Sequence, residues 1–267
     1  MPANSPLPIE LHQSYGHLLA HLTQLKMARL PGGDQQFLFR GEAKLHPDAH
    51  GNATVRSTFH RLQADGDLIG QAFTIYRYAK QIVSASAGYE VSHEEAVAVL
   101  RHYELPTPSI DVTGLPEVAL SFALGSTAAG TLNERYVFVI DCSRLPSEVG
   151  QNGHGEFRVT VEDHFFLTQP INSGGLTSRW MRQDGFALMP SWWKAALPPF
   201  DMLDHRMLPA LALHSFPADT CLGLPMPNLM SKANDQVADR VGIAVRAFVA
   251  SQGWIVHPYL AKIILQI

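Results

Sequence analysis

Arg40 closes the apolar run FLFRG (37–41). A guanidinium at a buried strand end needs anionic partners, because an unpaired buried charge is very costly. Two readings follow from its type and place. One is a salt bridge to an internal carboxylate. The other is a clamp on phosphate or diphosphate, whose oxygens match arginine's planar fork. In the second reading Gly41 lets a ligand come close to the backbone.

The segment AVLRHYELPTPSIDVTGLPEVALSFALG (98–125) gathers further chemistry. Tyr103 either belongs to the core or stacks on a flat ring. His102 either bonds structurally or lines a site. Asp111 and Thr113 either cap the helix expected after Gly114 or serve a ligand. Far downstream, Gln183 is either a turn residue or a neutral hydrogen-bonding group in the site.

Other chemistries lack their signatures. There is no G-x-S-x-G elbow, no G-x-x-x-x-G-K phosphate loop and no G-x-G-x-x-G after a strand. His46 and His50 have helical metal-ligand spacing, but Pro47 breaks any helix there, and no metal is expected. Cys142 and Cys221 are the only cysteines, which excludes a disulfide-stapled scaffold and any C-x-x-C zinc ribbon.

These residues need elements to hold them. Apolar spacing of three and four predicts helices over 10–30, 59–85 (interrupted near Gly66 and Gly70), 93–104, 116–124 and 232–251. Ser92-His93-Glu94-Glu95 reads as a capping box. Runs at 37–41, 109–113, 136–141 and 157–161 read as strands, with a closing strand over 254–267. Residues 42–54 read as a loop. The stretch 170–227, rich in Pro, Gly and Trp, reads as irregular and therefore either functional or hiding elements. The mixture implies one α+β domain over 1–267.

The chain has 267 residues, a formal net charge of −4 and 16% charged residues. That balance excludes a highly charged disordered chain and a nucleic-acid binder that works by bulk positive charge. The N-terminus has no secretory pattern, and no apolar run of about 18 residues exists. A cytoplasmic protein is the expectation; delivery by a route without a cleavable signal would leave no mark.

The motifs resemble a known family. FLFRG, the run His102-Tyr103-x-Leu105-Pro106-Thr107 leading to Asp111-x-Thr113, then Pro116-x-x-Ala119-Leu120-x-Phe122-Ala123, is similar to the FRG domain. Arg179-x-x-Arg182-Gln183-x-Gly185-Phe186 is similar to its third motif, so the resemblance spans about 37–190. Val112 stands where the family usually carries an aromatic. An arginine usual after the first loop is either Arg56 or Arg61.

The resemblance implies an ADP-ribosyltransferase-like fold with a split, mostly antiparallel central sheet flanked by helices. It implies NAD as substrate, with no metal, and cleavage of the nicotinamide–ribose bond by an enzyme or toxin that modifies a macromolecule, protein or nucleic acid. An inhibitor or antitoxin would be a natural partner of such a toxin. Carried over by residue, Arg40 matches the NAD-binding arginine. Asp111 and Thr113 match the ends of the Ser-Thr-Ser strand, and Gln183 stands where the catalytic glutamate is expected. Gly41, His102, Tyr103 and Thr107 would contact the dinucleotide. Gln183 carries no charge, so Glu104, Asp184 or a substrate group would have to supply it. The alternative is a non-catalytic nucleotide- or partner-binding module on the same fold.

Overall fold

Strict alternation along FLFRGE sends Phe37 and Phe39 to one face of a strand and Leu38, Arg40 and Glu42 to the other. The same alternation in ERYVFVID sends Val137 and Val139 one way and Phe138 and Ile140 the other. Pairing these two strands builds two apolar faces at once. A computed structural model describes residues 8–30, 33, 35–47, 53–55, 57–62, 65–125, 134–142, 147–149, 157–159, 165–168, 183–190, 210–221 and 236–266.

In chain order the strands are β1 (Ile9–Leu11), β2 (Phe37–Glu42), β3 (His46–Pro47), β4 (Ala53–Thr54), β5 (Ile110–Thr113) and β6 (Glu134–Asp141). They continue as β7 (Ser147–Val149), β8 (Phe157–Val159), β9 (Phe165–Thr168), β10 (Gly185–Pro190) and β11 (Ala210–Pro217). The helices are α1 (Tyr15–Lys26), α2 (Thr58–Leu62), α3 (Gly66–Arg77), α4 (Ala79–Ala87) and α5 (His93–His102). After them come α6 (Pro116–Leu124), α7 (Gln236–Ser251) and α8 (Pro258–Gln266).

Seven strands form one open sheet in the order β1-β11-β6-β2-β5-β10-β9. All neighbours run antiparallel except β1, which lies parallel to β11. The fold is therefore α+β, with a mostly antiparallel sheet flanked by helices. The sheet is continuous rather than split as the resemblance implied, though one junction in it is narrow. β2 and β5 are joined by a single register pair, Phe39 opposite Thr113.

Three apolar clusters hold the layers. α1 and α6 cover one face through Leu18, Leu22, Ala119 and Leu120 against Phe37, Phe39, Val137 and Val139. Leu38, Val112, Phe138, Ile140 and Leu188 gather on the opposite face. The third cluster joins α3, α4 and α5 to α7 and α8.

Several expectations need correction. The helix expected from residue 10 begins later, because Ile9–Leu11 is extended along β11 and Ser14 caps the helix, accepting from the His17 N–H at 3.3 Å. The closing strand over 254–267 is instead α8. Its Leu260, Ile263 and Ile264 fall at helical spacing and pack into the helical cluster, while Pro258 suits a first helical position. The helix expected over 59–85 is three helices, the second capped by Asp65, which accepts from the Leu68 N–H at 3.0 Å. The loop over 42–54 contains the small β3–β4 pair. The irregular stretch 170–227 hides β10 and β11, both inside the sheet rather than at its edges.

The glycine of FLFRG has a packing role. A Cβ built on Gly41 would stand 1.7 Å from the Ala119 carbonyl oxygen and 2.6 Å from the Ala123 nitrogen. Helix α6 thus lies directly on β2, and both atoms in the way are backbone. Gly41→Ala is expected to destabilise the protein by at least about 1–3 kcal/mol through overpacking. A lower urea midpoint at unchanged slope checks this; an unchanged midpoint refutes the contact.

Candidate functional site

Where β2 and β5 part, a cleft of about 300 Å³ opens, lined by Arg40, Gly41, Asp111, Thr113, Gln183 and Gly185. Strands that pair over one position leave their flanking backbone apart, so the narrow junction and the cleft are one feature. Arg61, Arg101, Glu42 and Glu104 add its charged wall.

Arg40 is only 7% exposed. Its Nε donates to Glu42 Oε1 at 2.7 Å and its Nη1 to the Asp111 carbonyl at 2.6 Å. Strand alternation explains the first bond, since positions 40 and 42 share a face. The second bond ties β2 to β5 beyond their single register pair. An internal carboxylate therefore does pair with Arg40, and the pair itself lines the cleft. Arg61 Nη1 lies 3.8 Å from Glu42 Oε2, and Arg101 Nη2 lies 3.1 Å from Asp111 Oδ2.

The cleft thus holds three guanidiniums close together. Arg101 Nε is buried and has no hydrogen-bond partner among the described residues. A buried unsatisfied donor is costly, and an incoming anion would relieve it. Burial pushes the Glu42 carboxyl up, but the adjacent Arg40 and Arg61 guanidiniums more than offset this and hold it below its usual range.

Thr113 fixes the turn at the cleft's end. Its hydroxyl donates to the Gln183 carbonyl at 2.5 Å and accepts from the Leu115 N–H at 3.0 Å. The Gly114 N–H donates to the Asp184 carbonyl at 2.9 Å. A Cβ on Gly114 would stand 1.9 Å from Asp184 Oδ2, so the 183–184 turn presses against this glycine. Gln183 is 3% exposed and lines the cleft, a buried residue rather than a surface turn residue.

Of the remaining sequence candidates, Tyr103 is 2% exposed and belongs to the helical core cluster. Thr107 is fully buried, with its hydroxyl 2.8 Å from that of Ser109. Neither is among the cleft-lining residues. The side chain of His102, and residues His50, Arg56, Arg179 and Arg182, lie outside what the structure describes. Of the two arginines left open, Arg61 lines the cleft, while Arg56 lies outside the described residues. Asp184 is not among the lining residues, whereas Glu104 is.

Glu42 and Arg101 escaped the sequence reading. A signal for Arg101 existed. It follows the apolar run 96–100, every member of which is buried, so its charge had to face a polar cleft.

Residues 35–131 match the model of the FRG domain. The chain carries an FRG domain. The match runs from just before β2 through α6 and stops short of Gln183. It therefore covers Arg40, Gly41, Arg61, Arg101, Glu104, Asp111 and Thr113. No curated protein and no solved structure matches the chain. Among the described residues, no helix is long and apolar enough to cross a membrane.

The Arg40–Glu42 pair generates two expectations. Arg40→Ala leaves the buried Glu42 carboxylate with only the longer contact to Arg61 and should cost up to roughly 3–5 kcal/mol, read as a lower denaturation midpoint. The folded Glu42 pKa lies below its ordinary value of 4.5, so its contribution is present above that value. It is lost as the pH falls from that value through the lower folded pKa. Asp184, pushed up by burial, acts with the opposite sign. The comparison is therefore wild type against Glu42→Gln. The wild type should lose its advantage over the variant across that window; a constant difference rejects the linkage.

Proposed function

We propose that the cleft of this FRG domain binds NAD and cleaves its nicotinamide–ribose bond, transferring ADP-ribose to a macromolecular acceptor. The observation that carries this reading is the convergence of Arg40, Arg61 and Arg101 in one cleft, one of them with an unsatisfied buried donor. Three guanidiniums suit a diphosphate.

Breaking the glycosidic bond builds positive charge on the ribose carbon in an oxocarbenium-like state. A fixed carboxylate stabilises that charge electrostatically. Gln183 offers only a neutral amide. Glu104 is the better-placed acid, because it lines the cleft and is exposed.

Its backbone supports the assignment. Helix α5 ends in a Schellman motif: the Glu104 N–H donates to the Arg101 carbonyl at 2.9 Å and the Leu105 N–H to the Leu100 carbonyl at 3.1 Å. Glu104 occupies the left-handed position at φ 68°, where glycine is usual. A non-glycine residue there costs about 1–2 kcal/mol. Strain kept at a cleft is a pointer to function.

The second reading, a nucleotide- or partner-binding module without turnover, is favoured by one fact. Arg40 already spends its Nε on Glu42 rather than presenting the whole fork to a ligand.

The test combines stability and turnover. NAD should raise the melting temperature of the wild type, and free nicotinamide should accumulate. Arg101→Ala should remove the NAD-dependent shift. Glu104→Gly relieves the left-handed strain, so its stability should be unchanged or higher by about 1 kcal/mol, while nicotinamide release falls at least about a hundredfold. A thermal shift without nicotinamide release selects the binding module. No shift at all with saturating NAD rejects the dinucleotide reading.

A further inference from the structure

The far edge of the sheet carries a second concentration of chemistry, separate from the cleft. His12 follows β1, His17 and His21 lie one turn apart on α1, and His214 lies on β11. His12 is 8% and His214 1% exposed. His12 Nε2 stands 3.0 Å from His214 Nδ1. Glu10 joins them, with Oε1 3.6 Å from His12 Nε2 and Oε2 3.5 Å from His214 Nδ1.

This packing is awkward for the groups alone. The ligand-grade atoms of Glu10, His12 and His214 lie within 4.8 Å of one another. His214 Nε2 is buried without a hydrogen-bond partner among the described residues. A neutral imidazole has one N–H and one lone pair; with the proton on Nε2, His214 turns the lone pair of Nδ1 toward His12 Nε2 and Glu10.

A bound cation accounts for the spacing. Tetrahedral zinc with bonds of roughly 2.0–2.2 Å sets its ligand atoms about 3.3–3.6 Å apart. The two facing nitrogens stand 3.0 Å apart, and one oxygen of the Glu10 carboxylate lies 3.6 Å from His12 Nε2 and the other 3.5 Å from His214 Nδ1, so small shifts would bring all three groups onto one ion. The His21 ring packs beside both, its centroid 5.0 Å from that of His214 and 5.5 Å from that of His12, outside the ligand set. Imidazoles with one carboxylate are a donor set that suits zinc.

We propose that Glu10, His12 and His214 form a zinc site, with the fourth position left to water, that fastens β1 to β11. No metal was expected from the sequence because 202 positions separate His12 from His214. The ion would add a strong tie where β1 contributes only three paired residues. Glu10, with a side chain 58% exposed, leaves an entry path.

The test uses the full chain, stripped with a chelator and dialysed. Titrated zinc should bind at one ion per chain. At a hundredfold excess over its Kd it should raise the melting temperature by about 5–10 °C. Cobalt(II) in its place should give the intense visible absorption of a tetrahedral site. His214→Ala removes a core residue and risks the fold, so the deciding variant is Glu10→Ala, whose side chain is exposed. It should stay folded and bind zinc at least about tenfold more weakly. Absence of stoichiometric uptake overturns the proposal. So does uptake without a thermal shift, or uptake of equal affinity in the Glu10 variant.

Discussion

Helix α6 rests on strand β2 so closely that the Ala119 carbonyl and the Ala123 amide occupy the space of a side chain at position 41. That contact fixes the register between helix and strand. Because Arg40 and Gly41 are neighbours on a pleated strand, pinning the glycine to the helix turns the arginine toward the opposite side. The two most distinctive stretches of the sequence, 37–41 and 116–123, are thus two halves of one joint. The glycine serves that joint as much as any ligand.

The same joint shapes the cleft. β2 is fully engaged with β6 on one side but holds β5 at a single position on the other. An uninterrupted ladder there would have paired the backbone around Arg40 and closed the cleft. The Arg40 bond to the Asp111 carbonyl substitutes a side chain for missing ladder bonds. Glu42 balances Arg40 from two residues away, and Arg101 reaches in from the last turn of α5, just after its buried apolar run 96–100. Each charge is held by an element of regular structure, which is how a cleft stays shaped before a ligand arrives.

Local pattern made much of this readable in advance. β2, β5, β6 and α6 follow from alternation, helical spacing and a proline at the first helical turn, and they carry Arg40, Asp111 and Thr113. What pattern could not show was depth. Tyr103 and Thr107 lie beside the motif residues in the chain, yet helix rotation and the turn after it send them into the core. β10 and β11 were illegible because Pro and Gly around them mask short strands whose order depends on distant partners. α8 was misread because short apolar runs such as IVHPYLAKIILQI fit either period. Glu42 looked like the start of a loop, since nothing local reveals that its carboxylate will be needed by the arginine two places before it.

The protection of the sheet's boundary is thin. β11 is eight residues long, and its outer edge is screened by β1, which is three residues long and exposed on every one of them. An uncovered strand edge presents unpaired backbone donors and acceptors to any extended chain that meets it. Detachment of Ile9–Leu11 would therefore do more than loosen one end of the molecule. It would offer β11 as a template on which the same segment from a neighbouring molecule could lie, exchanging an intramolecular strand for an intermolecular one. The terminal strand is in this sense a guard against self-association, and the residues that anchor it govern solubility as much as fold.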